Sequence, residues 1–136
     1  MSLRNSIPYI VGGAILVGGA FVVLSGRSQR EFEKGQTFER EGRLSDAIER
    51  YEWAIQAYSP FGSYPAQALE RLRTIAQEAE VSGATDSAVE AWQAILSGLA
   101  VIENFRQPYE MQLREAEERL AQLRGKIDST PQEATP

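Results

Sequence analysis

Catalysis needs groups that move protons, hold metals or attack carbon, and this chain carries few of them. Its 136 residues include no His and no Cys. That removes the commonest general base, the commonest metal ligand, and every thiolate site and disulfide. Carboxylates remain. Glu115, Glu117 and Glu118 lie close together, and two carboxylates held on opposite sides of a bond can work as a pair. They are flanked by Arg114 and Arg119, however, and such a charged run on a helix reads as a solvated face. No glycine-rich phosphate loop and no metal-ligand spacing occurs anywhere in the chain. The expectation is a protein that is not an enzyme, with no cofactor, no metal and no small-molecule substrate. An enzyme would instead show a pocket of convergent carboxylates with displaced pKa values.

The elements are therefore read for binding. Ile7 to Leu24 is an uncharged run of 18 residues. As a helix it would extend roughly 27 Å, close to the hydrocarbon thickness of a bilayer. Pro8 sits near its start, Tyr9 at interfacial depth, and Gly26, Arg27 and Arg30 close it. A cleaved signal peptide would have a shorter apolar region and a small-x-small site, which Val23-Leu24-Ser25 matches poorly. The reading is a single transmembrane helix over 7–26 behind a short N-terminal tail, 1–6. All 19 acidic and 13 of the 14 basic residues follow the apolar run, a balance of −6. Such a surface repels phosphate backbones, so nucleic acid is not an expected partner.

Gly12, Gly19 and Gly26 recur every seven residues, and Ala14 and Gly18 form a small-xxx-small pair. Small residues let a second helix backbone approach closely in lipid, although glycine is also simply common in membrane helices. Arg27, Arg30, Lys34 and Arg40 outweigh Arg4 across the run. The positive-inside rule then places the C-terminal part in the cytoplasm, with the plasma membrane, or the inner membrane of a bacterium, as the location.

Beyond the run, apolar residues recur at spacings of three and four, which predicts helices over about 28–41, 45–58, 65–82, 85–105 and 108–126. Ser45 is placed to cap the second, and Thr85 or Asp86 the fourth. Pro65 and Pro108 suit first turns, and Gly42 and Gly83 suit left-handed helix ends. An all-α domain over 27–127 follows. The remaining 128–136, DSTPQEATP, has too little apolar content to fold and is expected to be disordered.

Aligning Gly42 with Gly83 brings Ala47 onto Ala88 and Tyr51 onto Trp92. One helix–turn–helix unit occurs twice. The first resembles a tetratricopeptide repeat, whose period is about 34 residues. Gly35 stands at the small position of the first helix, Phe38 at the aromatic one, Gly42 at the turn, and Ala47, Tyr51 and Ala54 in the second helix. Pro60 lies one residue past the family's closing proline. In the second unit Leu72, Ile75, Gly83, Ala88 and Trp92 match. Ala76 takes the small position, Ala79 replaces the aromatic, and Ile95 replaces an Ala. The glycines are 41 residues apart because SPFGSYP lengthens the link, a departure from regular stacking. The resemblance spans about 29–99 and implies two helical hairpins. Leu113, Ala116, Leu120, Leu123 and Ile127 then give a C-terminal capping helix its apolar seam, although the same seam would suit a short coiled coil.

The resemblance also implies a concave groove lined by first helices, here Gln29, Phe32, Gln36 and Glu39, then Arg73, Gln77 and Glu80. Against that, Phe32 could pack against the membrane-proximal end of the domain and the rest be merely solvated. The aromatic linker Tyr58, Phe61 and Tyr64 reads either as a staple between units or as anchors for a partner. The function expected is a membrane-anchored adaptor or accessory subunit that binds other proteins within an integral-membrane complex. The alternatives are a tethered holdase for exposed polypeptide, or an exported soluble protein whose first segment is removed.

Overall fold

The structure, a computed structural model, describes residues 26–58, 62–102 and 109–129. Among them are five helices and no strand: α1 over 26–40, α2 Leu44–Gln56, α3 Tyr64–Ser82, α4 Thr85–Ala100 and α5 Glu110–Ser129. None of these helices is long and apolar enough to cross a membrane. The run expected to do so, with Gly12, Ala14, Gly18 and Gly19, lies outside the described residues. Gly26 alone of the glycine stripe falls inside, in α1.

Each helix forms because its apolar residues share one stripe. In α2 these are Ala47, Ile48, Tyr51, Ala54 and Ile55, and in α4 they include Ala88, Trp92, Ile95 and Leu99. Leu69, Leu72, Ile75 and Ala76 of α3 complete one core with them. α1 adds Phe32, and α5 adds Ala116, Leu120 and Leu123. α4 lies against α2, α3 and α5, so it joins the two hairpins to the last helix.

The two turns are built alike. Gly42 and Gly83 have φ of +75° and +77°, a conformation only glycine adopts without strain. Arg43 N–H bonds the Phe38 carbonyl at 2.9 Å and Gly42 N–H the Glu39 carbonyl at 3.0 Å. In the second turn Ala84 N–H bonds Ala79 at 2.9 Å and Gly83 N–H bonds Glu80 at 3.3 Å. Both are Schellman motifs, which satisfy the last carbonyls of the helix.

The structure corrects several expectations. Ser45 does not cap α2: the helix starts one residue earlier at Leu44, and the Ser45 hydroxyl instead reaches Glu90 of α4. Neither Thr85 nor Asp86 caps α4, because the chain re-enters helix directly after Ala84. Ile127 is half-exposed, so the seam of α5 is narrower than its spacing suggests. α5 runs to Ser129, so Asp128 and Ser129 are helical, and 130–136 lie outside the described residues.

Candidate protein-binding face

The face predicted as a groove is assembled by a small residue beneath an aromatic one. Gly35 of α1 lies against Tyr51 of α2 so closely that a Cβ there would sit 2.7 Å from the ring. That approach buries Tyr51 completely and leaves only its hydroxyl to be satisfied. The hydroxyl donates to Glu39 at 2.8 Å. Arg71, from the following hairpin, donates through Nε to both Glu39 oxygens at 3.0 Å and through Nη2 to one of them. The Arg71 hydrogen bonds hold the Glu39 carboxyl below its ordinary pKa, against the opposing effect of burial. Burial, with the Glu39 carboxylate beside it, pushes the Tyr51 phenol up.

The second hairpin repeats this. Trp92, fully buried in α4, donates its indole N–H to Glu80 at 2.7 Å, and Arg119 of α5 bonds the other oxygen at 3.2 Å. Twelve residues separate acceptor and donor in each hairpin. Arg73 adds a two-point contact to Glu115 of α5, at 2.6 and 3.1 Å. In each hairpin a carboxylate closes the two helices, and an arginine from the next element holds it. Each of these pairs charge and geometry in the way that makes Arg–carboxylate contacts strong.

The structure thus brings Glu39, Glu80 and Arg73 into bonds between helices. Phe32 departs from the groove reading. Only 8% exposed, it packs at ring distances of 5.5 Å from Tyr51 and 5.7 Å from Tyr64. Its position on α1 is one turn from Ser28, whose hydroxyl bonds the Ala54 carbonyl at 2.9 Å, so this stripe of α1 faces α2. Gln36 is exposed and, with Glu39 and Arg40, lines a shallow cavity of about 400 Å³. Gln29 is exposed and donates to Glu33, and Gln77 is half-buried. Of the aromatic linker, Tyr64 packs on Phe32, and Tyr58 packs against the core. Phe61 lies outside the described residues.

Two surfaces were not anticipated. On the outer side of the first hairpin Arg43 stacks over Phe38 at 4.3 Å and Arg50 over Trp53 at 4.6 Å, while Arg50 also pairs with the buried Glu31 at 3.2 Å. The sequence signal was available, since Phe38, Arg43, Arg50 and Trp53 lie one or two turns apart across the Gly42 turn. Between α2 and α4 lies a second cavity of about 400 Å³, whose lining includes Asp46, Glu49, Glu52, Glu90 and Gln93. Burial, then the neighbouring Glu49 charge, raises the Glu52 pKa. No group of three or more side chains among the described residues could hold a metal ion. The comparisons with known proteins return no match among family models, curated proteins or solved structures.

Proposed function

We propose that this chain is a non-catalytic, membrane-anchored adaptor or accessory subunit with a tetratricopeptide-like domain. The observation that carries the reading is the duplicated hairpin. A left-handed glycine turn and a bond from a buried second-helix aromatic to a first-helix Glu occur together in both units. Units of this kind cannot bury their apolar faces alone, so they stack, and the stacked faces serve as platforms for other proteins. The uncharged run Ile7–Leu24 supplies the anchor, and the basic residues after it favour a cytoplasmic domain. Within that reading Gln36, Arg40 and Gln77 are the polar contacts offered to a partner, and Gly12 and Gly19 the intramembrane ones.

The test is purification of the full chain from its native membrane in mild detergent, with mass spectrometry of what comes with it. A few integral-membrane proteins at fixed stoichiometry support the subunit, and Gly12→Leu with Gly19→Leu should weaken their retention. A broad, substoichiometric set of clients would mean a holdase instead. A soluble chain with a processed N-terminus would overturn the anchor.

A further inference from the structure

The last helix carries two sets of charges with different fates. Glu115 and Arg119, on the side toward α3, are paired with Arg73 and Glu80. On the other side Arg114, Glu117, Arg124 and Asp128 are exposed, and none has an ion-pair partner among the described residues. They fall at spacings of three and four along one stripe, with Ala121 at its middle. The stripe borders a cavity of about 430 Å³ between α4 and α5, whose lining includes Leu96, Leu120, Ala121, Glu117 and Arg124.

We propose that a second copy of this chain occupies this groove, its α5 lying antiparallel to the first across a two-fold axis beside Ala121. Read from either end, the stripe is complementary to itself. About Ala121, Glu117 of one copy meets Arg124 of the other, and Arg114 meets Asp128, each pair occurring twice by symmetry. A parallel arrangement would set like charges together. The small side chain at the axis allows two helices to approach at the usual 8–10 Å or so, over an apolar floor of Leu96 and Leu120. One helix pair buries less than the ~800 Å² per partner of a stable complex, so the dimer forms in a concentration-dependent way. The inference does not depend on the adaptor reading.

The chain has no cysteine, so one can be placed at will. The full chain carrying Ala121→Cys is compared under mild oxidation with one carrying Val81→Cys. Val81 is 90% exposed at the far end of α3, and shares any enrichment that the N-terminal run provides. Disulfide-linked dimers should form severalfold faster through position 121. Adding Glu117→Arg should remove the difference, and adding Arg124→Glu to that should restore it, with helicity by circular dichroism unchanged throughout. Equal rates at 121 and 81, no restoration in the charge swap, or position 121 linking to a different protein would each overturn the proposal.

Discussion

The Tyr51 hydroxyl donates to the Glu39 carboxylate at 2.8 Å, across a hairpin whose first helix has no side chain at Gly35 to keep the ring away. Tyr51 is fully buried, and Arg71 from the next hairpin holds the same carboxylate. A single acidic side chain therefore joins three helices, and both its protonation and its removal have readable consequences.

Glu39→Gln should destabilise the domain at neutral pH by about 1–2 kcal/mol, since the pair is partly screened. The sign of the pH dependence follows from the Arg71 hydrogen bonds, which lower the carboxyl pKa in the folded state. The stabilisation is present above the ordinary 4.5 and is lost as pH falls through the lowered value. Urea titrations of wild type and Glu39→Gln should therefore differ at pH 7 and converge toward pH 3. A constant gap across that range would assign the effect to packing instead.

Gly35→Ala tests the close approach directly. The added Cβ would meet Tyr51 Cε1 at 2.7 Å and Cδ1 at 2.8 Å. A fully buried ring has nowhere to retreat, so overpacking should cost about 1–3 kcal/mol. Tyr51→Val has no atom beyond Cγ and so removes the clashing atoms, and Gly35→Ala should cost much less in that background. The coupling in the double-mutant cycle is the measurement, and additive costs would refute the explanation.

The spacing of apolar residues was enough to read the helices, because each stripe is continuous, and Gly42 and Gly83 marked both turns, because only glycine takes that φ freely. Caps were less legible. Ser45 is a good cap by type, yet Leu44 can start the helix itself, and the hydroxyl finds Glu90 forty-five residues away. Phe32 was read both ways because a helical wheel gives its neighbours no depth; Tyr51, and Tyr64 near the end of the lengthened link, are what cover it. Long-range arginines were not legible as partners: Arg71 was not singled out, and Arg119 was read as part of a solvated face. Their partners Glu39 and Glu80 stand in register with the glycines, but the arginines come from the next element, whose placement depends on packing.

Glu52 carries the opposite sign to Glu39. Burial, then the Glu49 charge, raises its pKa, so its contribution is favourable below the ordinary 4.5 and is lost as pH rises through the raised value. Glu52→Gln should therefore stabilise the domain at pH 7, by less than about 1 kcal/mol, and leave it unchanged near pH 3. Thermal unfolding at both values measures this. Destabilisation at pH 7 would mean that the hydrogen bond Gln56 donates to the ionised carboxylate at 3.0 Å outweighs burial and the Glu49 charge.

Glu80 separates two roles that one carboxylate performs. It accepts the Trp92 indole N–H at 2.7 Å and the Arg119 guanidinium at 3.2 Å. Trp92 is fully buried, whereas the Arg119 side chain is 41% exposed. Water can replace the bond to the arginine but cannot reach the indole. Glu80→Gln keeps an acceptor for the indole and loses only the screened charge, so its cost should stay below about 1 kcal/mol. Glu80→Ala orphans a buried donor and should cost about 1–3 kcal/mol. Trp92→Phe removes that donor, and in its background Glu80→Ala should lose most of its effect. Denaturant midpoints of the four variants decide the matter: if Glu80→Gln proves as costly as Glu80→Ala, the charged bond to Arg119, rather than the indole bond within the hairpin, carries the contribution of Glu80.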